Sequence, residues 1–355
     1  MTWLQNRIKT VLGRFRAAPD PSPLGRRSPR GKKTHVIVLD GTLSSVEPGY
    51  ESNAGLLAKL LAEMGPSVNI YYRPGLQWHS WRSIRSIMFG GGLDQQIRDT
   101  YGALATRYRP GDAVFLFGYS RGAFAVRSLS GLIDKVGLLK AQHATPRHIE
   151  QAWRAYKNPP APETPAKFRT AYCHRQVSIE MIGVWDTVRA LGLRVPIFWR
   201  WMPDRYGFHN HHLCRSVKAG FHALAKDETR LAYRPEKWRA DPDHPAHLEQ
   251  VWFRGTHGDV GGHLSGYAPA RPLSNIPLVW MLERAEACDL PLPIDWATRF
   301  PIDPNAPSIG RWNGFSKLLI LRRRRVITVG PTEWIHPSVA ISKRVKPEIN
   351  GENKD

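Results

Sequence analysis

The chain has few cysteines, and they do not form a recognisable set. Of its 355 residues only three are cysteine, Cys173, Cys214 and Cys288. An odd number at these spacings matches neither a disulfide framework nor a zinc ligand set. We therefore expect reduced thiols and a reducing compartment.

The chain also lacks long hydrophobic runs. No apolar stretch approaches the ~18 to 20 residues that span a bilayer. The N-terminus has no continuous apolar core followed by a small-residue cleavage site. We expect neither a transmembrane helix nor a cleaved signal peptide, and we expect a cytoplasmic location.

Acidic residues are scarce relative to basic ones. The 51 Lys and Arg residues against 30 Asp and Glu give a formal net charge of +21. Such an excess indicates an anionic neighbour, which could be a membrane surface, a nucleic acid or an acidic substrate. Basic runs such as residues 322–325 are typical of a solvated face, and no nucleic-acid-reading module is recognisable. We therefore do not expect a nucleic-acid partner.

Residues 1–33 differ from the rest of the chain. Nine basic residues lie there against one acidic residue, Asp20, and the apolar residues of positions 3–16 fall on one helical face. This pattern predicts a basic amphipathic helix on a flexible tether, suited to the anionic lipids of the inner membrane surface. The alternative is a basic tail that is disordered or docks on its own domain. We predict a catalytic domain over residues 34–345 and a polar tail over 346–355.

From His35 onward, strand and helix patterns alternate. Strands are predicted at residues 35–39, 68–72, 113–117, 177–184, 249–253 and 326–329. Helices are predicted around residues 54–64, 93–108, 129–136, 146–156, 213–226 and 276–287. This alternation predicts an α/β fold with a mostly parallel sheet and helices on both faces. Two aromatic segments, residues 72–92 and 195–208, are candidate lid loops, with a place in the core as the alternative.

The segment 113–122, AVFLFGYSRG, carries the clearest functional signal. It reads as a buried strand that breaks at Ser120, and Gly118 and Gly122 permit the tight strand-to-helix turn called a nucleophile elbow. The helical pattern that follows completes the expected context. We predict Ser120 as a nucleophile.

A serine nucleophile needs a base, and the base needs an orienting acid. Asp186 and His257 each follow a predicted strand, in the order serine, acid, histidine that α/β-hydrolases show. Asp259 is the alternative acid. We prefer Asp186, because two residues of one tight loop rarely reach each other across a ring edge, and we expect Asp259 to brace the glycine-rich loop.

The other histidines are expected to be structural or solvated. His222 lies in a predicted helix, where a structural histidine is the ordinary case. The cluster of His209, His211, His212 and Cys214 does not reproduce a zinc pattern. We expect no metal and no cofactor.

The developing oxyanion of an ester cleavage needs preorganised donors. We predict the backbone N–H of Arg121 as one donor and an N–H of Gly41 or Thr42 as the second, with Asp40 holding that turn. The same Leu-Asp-Gly-Thr sequence resembles a phosphatase aspartate nucleophile. Val38 stands where that chemistry expects the paired aspartate, which weakens the alternative.

Several separate segments together carry a family resemblance. They are VLDGT (38–42), GGLDQQI (91–97), PGD (110–112), FGYSRGAF (117–124), GVWDTV (183–188), FHALAKDE (221–228) and VWFRGTHGDVGG (251–262). In these segments the chain resembles the bacterial family of uncharacterised α/β-hydrolase domains to which the first class of type VI secretion phospholipase effectors belongs.

The resemblance implies a serine esterase or lipase of phospholipase type. It implies Ser120 as nucleophile, His257 as base and Asp186 as acid. The basic N-terminal segment is not part of the shared pattern, so a secreted toxin and a housekeeping hydrolase at a membrane surface both stay open. The alternative from another functional class is a catalytically degenerate fold that binds anionic membranes or ligands.

Overall fold

A parallel β-sheet forms the centre of the computed structural model, which describes residues 31–42, 44, 46–75, 92–188, 212–241, 243–310 and 321–341. Its seven strands are β1 Thr34–Leu39, β2 Val68–Arg73, β3 Ala113–Tyr119, β4 Ile179–Trp185, β5 Val217–Ala225, β6 His247–Phe253 and β7 Glu333–Ile335. Their spatial order is β2-β1-β3-β4-β5-β6-β7, and every neighbouring pair is parallel. The carboxyl ends of all strands therefore meet at one edge.

Helices cover both faces of this sheet. In the described residues they are α1 Asn53–Ala62, α2 Leu93–Ala105, α3 Arg121–Val136, α4 Pro146–Lys157, α5 Thr164–Tyr172, α6 His257–Gly261, α7 Arg271–Ala287 and α8 Ser338–Ile341. Residues of α2, α3 and α4 form one apolar cluster, and residues of α1 and α7 form the other. This architecture confirms the predicted α/β class.

The strand β3 shows why the sequence forms a two-sided core. Val114 and Leu116 belong to one apolar cluster, whereas Phe115 and Phe117 belong to the other. Successive side chains of a strand point to opposite faces, so a strand covered on both faces must be apolar throughout. The run AVFLF meets this requirement and leads directly to Ser120.

The helix predicted over residues 213–226 is wrong. This stretch holds the strand β5, which pairs with β4 and β6. All its residues except Lys218 are buried. A continuous apolar run is compatible with a buried strand and with a buried helix. This segment forms a strand because it pairs with a neighbouring strand on each side. His222 therefore lies on a strand, in contrast to the predicted helix.

The strand predicted over residues 326–329 is also wrong. Val326 and Val329 are each 71% exposed, and the last strand in the described part of the chain is β7, a few residues later. There Glu333 and Trp334 pair with Gln250 and Val251 of β6. Two valines in a short segment raise the β propensity, but a strand also needs a free edge to pair with, and β7 occupies that edge.

Some predictions concern residues outside the described part of the chain. The basic N-terminal helix falls there, as do most of the candidate lid loop 72–92 and all of the loop 195–208. His209 and His211 of the histidine cluster also lie outside the described residues. The limits of the catalytic domain and of the two tails stay predictions. Among the helices that the structure describes, none is both long and apolar enough to cross a membrane.

Candidate active site

Ser120 lies between β3 and α3 in a strained backbone conformation. Its φ is 57° and its ψ is −119°, a region that a residue with a side chain rarely adopts. Its N–H donates to the Trp185 carbonyl of the neighbouring strand β4, at 3.0 Å. Strain of this kind costs on the order of 1–3 kcal/mol and persists where the surroundings fix it. The turn directs the Ser120 hydroxyl toward the carboxyl edge of the sheet.

The two glycines around Ser120 permit close backbone contacts. A Cβ built on Gly118 would lie 2.6 Å from the Gly122 carbonyl oxygen, and one built on Gly122 would lie 2.0 Å from the Leu39 carbonyl oxygen. These distances are far shorter than any real contact of a methyl group. Glycine at position 118 therefore lets the turn close tightly on itself, and glycine at position 122 lets it pack against the end of β1.

Replacing Gly122 by alanine should lower the free energy of unfolding by about 3 kcal/mol, because the methyl group collides with backbone atoms that cannot rotate away. Chemical denaturation measures this change. The matched control is Gly330→Ala, where nothing lies within 4 Å of the added methyl group. Equal stability of the two variants would contradict the close packing of the turn.

Three of the predicted site residues come together at this edge. His257 Nε2 lies 2.8 Å from Ser120 Oγ, and His257 Nδ1 lies 2.6 Å from Asp186 Oδ2. An ionised carboxylate only accepts hydrogen bonds, so in the neutral form of the imidazole Nδ1 carries the proton and Nε2 accepts from the serine hydroxyl. A serine whose hydroxyl donates to a neutral imidazole is arranged for deprotonation.

Asp186 is fully buried at the end of β4 and has a positive φ of 40°. Its Oδ1 accepts from the N–H of Ala225, at 3.0 Å, and both its oxygens accept from the guanidinium of Arg325. Burial would raise the pKa of Asp186. The Arg325 charge and the hydrogen bonds from His257 and Arg325 outweigh this effect and hold that pKa well below its usual range. The carboxyl is therefore charged at neutral pH.

The imidazole of His257 contacts two tyrosine rings. Tyr233 stacks on it with ring centroids 4.5 Å apart and planes 12° apart, and Tyr119 lies at 4.9 Å on a tilted plane. The Tyr119 hydroxyl also donates to the His257 carbonyl, at 3.1 Å. Packing against these two rings limits rotation of the imidazole and keeps both nitrogens aligned with their partners.

A buried ion pair holds the backbone at His257. The His257 N–H donates to Glu228 Oε2, at 3.1 Å, and Arg230 binds the same carboxylate through its Nε and Nη2 atoms. The Arg230 guanidinium lies 4.5 Å from the centre of the Tyr233 ring. The backbone and the ring of His257 are thus held in place by Glu228, Arg230 and Tyr233. No local pattern in the sequence marks this role.

Asp259 does not reach the imidazole nitrogens. Its Oδ2 accepts from the N–H and the hydroxyl of Thr256, at 2.7 and 2.8 Å, and from the Ser308 hydroxyl. Its Oδ1 accepts from the N–H of Ile309. These contacts cap the short helix α6 and tie the loop before it to residues 308–309.

Asp40 organises the turn after β1. Its carboxylate accepts from the Gly41 N–H at 2.7 Å, from the Ser52 hydroxyl at 2.6 Å and from the Tyr72 hydroxyl at 2.8 Å. Burial raises the pKa of Asp40 to about 6, against the lowering effect of these hydrogen bonds. Because the Gly41 N–H already donates to Asp40, it is not placed to donate to an oxyanion. Of the two predicted residues, Thr42 is therefore the remaining candidate for the second oxyanion donor.

His222 lies inside the sheet, on the buried strand β5. Its Nε2 accepts from the Thr187 N–H, at 3.1 Å, and burial and the Arg127 charge lower its pKa to about 3. It is therefore a neutral structural histidine. Among the described residues, no group of three or more His, Cys, Asp or Glu side chains could hold a metal ion.

The solvated face expected for residues 322–325 is wrong for Arg325. Its side chain is only 5% exposed and pairs with Asp186. The sequence shows four consecutive arginines and nothing that distinguishes the last one, because the partner carboxylate lies far away along the chain. Only the fold brings the two together.

Comparison with known proteins gives one family. The chain matches the model of the type VI secretion phospholipase effector Tle1-like catalytic domain over residues 33–284. It is similar to the uncharacterized protein YEL023C of Saccharomyces cerevisiae, at 27% identity over 188 residues that cover 45% of this chain and 27% of the yeast protein. The chain thus matches about a quarter of the length of this curated relative.

Two solved structures are also similar. One is the crystal structure of an uncharacterized protein from Pseudomonas aeruginosa, with a TM-score of 0.47, 16% identity, and coverage of 93% of this chain and 54% of that one. The other is the Tle1 effector bound to the VgrG spike of the type VI secretion system, with a TM-score of 0.32, 15% identity, and coverage of 66% and 51%. The match thus extends over only about half of either solved chain.

The family match confirms the resemblance that the sequence motifs indicate. Its range begins just before β1, ends in α7, and includes Ser120, Asp186 and His257. Since the family model covers well over half of the chain, this protein belongs to the Tle1-like family of type VI secretion phospholipase effector catalytic domains.

Proposed function

We propose that the protein is a serine ester hydrolase of phospholipase type that uses Ser120, His257 and Asp186 as a catalytic triad. The observation that carries this proposal is the continuous hydrogen-bonded chain from Ser120 Oγ through both imidazole nitrogens to Asp186, at 2.8 and 2.6 Å. Family membership supports a lipid ester as the substrate.

In the first half of the reaction, Ser120 Oγ attacks the carbonyl carbon of the ester while His257 Nε2 takes the hydroxyl proton. Asp186 holds the other nitrogen and stabilises the imidazolium that forms. The negative charge then lies on the former carbonyl oxygen. The N–H groups of Arg121 and Thr42 are the proposed donors to that oxygen, since they follow the nucleophile and the end of β1.

To complete this first half, His257 returns its proton to the leaving alcohol, and an acyl group stays bound to Ser120. In the second half, water attacks this acyl-enzyme while His257 takes a proton from the water. The tetrahedral intermediate collapses, releases the carboxylic acid and restores the serine hydroxyl. Each proton that His257 accepts is thus returned within the same half-reaction, and no cofactor is needed.

A substrate series tests the proposal and its lipid specificity together. p-Nitrophenyl esters of increasing acyl length, followed by phospholipid vesicles, would be offered to the wild type and to His257→Ala. We expect hydrolysis by the wild type alone, with kcat/KM that rises with acyl length and fatty acid released from the vesicles. Equal rates for both proteins would contradict the role of His257. Binding of vesicles without any hydrolysis would favour the degenerate binding module.

We also propose that the basic N-terminal residues attach the enzyme to the inner, anionic surface of the cytoplasmic membrane. The charge of the whole chain and the nine basic residues before β1 support this placement. The aliphatic and aromatic residues interspersed among them supply the apolar side of the contact. The substrate would then lie in the same surface as the attachment.

Neutralising Arg7, Lys9, Arg14 and Arg16 with glutamine should weaken sedimentation with anionic vesicles by roughly a hundredfold or more, because each basic residue contributes about 1 kcal/mol near such a surface. The control variant carries glutamine at four exposed basic positions of the folded domain, Lys135, Arg147, Arg175 and Arg215. If both variants bind vesicles equally well, the segment has no special role in attachment. Hydrolysis of a soluble ester should be unchanged in both.

A further inference from the structure

Arg325 forms a planar fork on the carboxylate of Asp186. Its Nη1 donates to Oδ1 at 2.6 Å, and its Nη2 donates to Oδ2 at 2.9 Å. The side chains are 5% and 0% exposed, respectively. Bidentate pairs of this kind fix orientation as well as distance, because the guanidinium plane and the carboxylate plane must coincide. Oδ2 is also the atom that accepts from His257 Nδ1.

The remaining donors of Arg325 fix its own position. Nη1 also donates to the Ala225 carbonyl, at 2.7 Å, and Nη2 donates to the Tyr233 carbonyl. Ala225 ends β5 and gives its N–H to Asp186, and Tyr233 carries the ring that stacks on His257. One guanidinium therefore connects the acid, the end of a neighbouring strand and the residue that packs on the base.

The backbone that carries Arg325 is attached to the same region. Leu231 N–H donates to the Leu321 carbonyl at 3.0 Å, and Arg323 N–H donates to the Thr229 carbonyl at 2.7 Å. Through these bonds, residues 321–323 pair with the loop that contains Arg230. Arg230 and Arg322 form an antiparallel β-bridge there. Arg325 thus comes from a segment beyond residue 284, where the match to the family's catalytic domain ends.

The fork has a mechanistic consequence if Asp186 orients the base, as the proposed function requires. An imidazolium formed on His257 lies next to the Asp186–Arg325 ion pair, which has no net charge. In a triad without such an arginine, the imidazolium would lie next to an unpaired carboxylate. Other charged or titratable groups around His257 are Glu228, which binds its N–H and is paired with Arg230, and the rings of Tyr119, Tyr233 and His263.

We propose that Arg325 is a positioning residue of the active site, which holds the Asp186 carboxylate in the plane that His257 needs and sets the charge that the imidazole faces. This assignment rests on the proposed triad. Two effects follow from it and can be separated. Loss of the fork lets the carboxylate turn, which lowers kcat. Loss of the positive charge leaves the imidazolium beside an uncompensated carboxylate, which moves the acidic limb of the pH profile to higher pH.

The experiment measures kcat and KM for a short soluble ester from about pH 5 to pH 9, on full-length Arg325→Met and Arg325→Lys. Active sites are counted with a fluorophosphonate so that rates refer to folded enzyme. Arg324→Ala is the matched control, since Arg324 is the exposed neighbour in the same run. Ser120→Ala tests the underlying triad separately.

For Arg325→Met we expect kcat per active site to fall by roughly 10- to 100-fold with KM nearly unchanged, and the acidic limb to rise by roughly one pH unit. Arg325→Lys keeps the charge and loses the fork, so its acidic limb stays in place while kcat falls partway. Arg324→Ala should match the wild type in every respect. If Arg325→Met does not fold, the kcat of Arg325→Lys tests the positioning role of Arg325.

Wild-type kcat and an unmoved acidic limb in Arg325→Met would overturn the proposal. So would a variant that is less stable but has a wild-type rate per active site, because Arg325 would then only clamp the fold. Wild-type kcat in Arg325→Lys would overturn the role of the fork. Full activity of Ser120→Ala is a different result, since it removes the triad itself and not the contribution of Arg325.

Discussion

Replacing Ser120 by alanine should abolish ester hydrolysis and leave the fold intact. The expected loss in kcat is at least roughly 10⁴-fold, because the substitution removes the atom that forms the acyl-enzyme bond. The only hydrogen bond of the Ser120 hydroxyl among the described residues goes to His257 Nε2, so the free energy of unfolding should change by about 1 kcal/mol or less. Steady-state rates and chemical denaturation measure the two quantities.

Ser128→Ala is the matched control for this substitution. Ser128 is a buried serine of α3 whose hydroxyl donates to the Phe124 carbonyl, at 2.7 Å, within its own helix. Its loss removes a buried hydroxyl from the helix that follows Ser120 without touching the nucleophile, and wild-type rates are expected. Activity that survives in Ser120→Ala would exclude the serine mechanism.

Replacing Asp186 by asparagine should lower kcat by about 10⁴-fold, because the amide cannot hold the Nδ1–H tautomer of His257. The same change leaves the buried guanidinium of Arg325 without its counter-charge. Breaking a buried pair from one side costs about 3–5 kcal/mol of folding free energy. Asp186→Asn should therefore have both a lower kcat and a lower free energy of unfolding, whereas Ser120→Ala should lose activity and keep its stability.

The stability loss of Asp186→Asn should depend on pH. The pKa of Asp186 is lowered in the folded protein from its ordinary value of 3.8, so the ionised carboxyl contributes stability above that pH and the contribution is lost as pH falls below it. The difference between wild type and Asp186→Asn should then be largest near neutral pH and shrink below about pH 4. Denaturation curves at several pH values measure it. A difference that does not change with pH would contradict the pairing.

The control for this prediction is Asp94→Asn. Asp94 pairs with Lys157 at the protein surface, where its side chain is 31% exposed. Surface pairs contribute about 0–1 kcal/mol. This variant should lose little stability at any pH, which separates the loss of a buried charge from the loss of any carboxylate.

The sequence predicted the parts of this fold that depend on local pattern. The strand β3, the turn at Ser120 and the helix α3 could all be recognised because an apolar run, two glycines and a helical period stand next to each other. The acid and the base could be proposed because both follow predicted strands, and parallel strands bring their carboxyl ends to one edge. These inferences need only the local pattern of each segment and the parallel arrangement of the predicted strands.

The parts that failed depend on distant partners. Residues 217–225 form a strand because β4 and β6 pair with it on both sides, which no window of sequence records. The Gly41 N–H is taken by the side chain of the preceding residue, a contact that depends on how Ser52 and Tyr72 hold the Asp40 carboxylate. Arg325 pairs with the carboxylate of Asp186, which follows the distant strand β4. Because the residues before Arg325 are also arginines, the sequence does not show which arginine forms this pair.

The most direct test of the account is to react the wild-type protein with a fluorophosphonate, digest it, and map the adduct by mass spectrometry. A phosphonate on Ser120, formed at a rate that falls in His257→Ala and Asp186→Asn, is the result that the triad predicts. An adduct on a different serine, or sustained ester hydrolysis after Ser120 is fully modified, would contradict it.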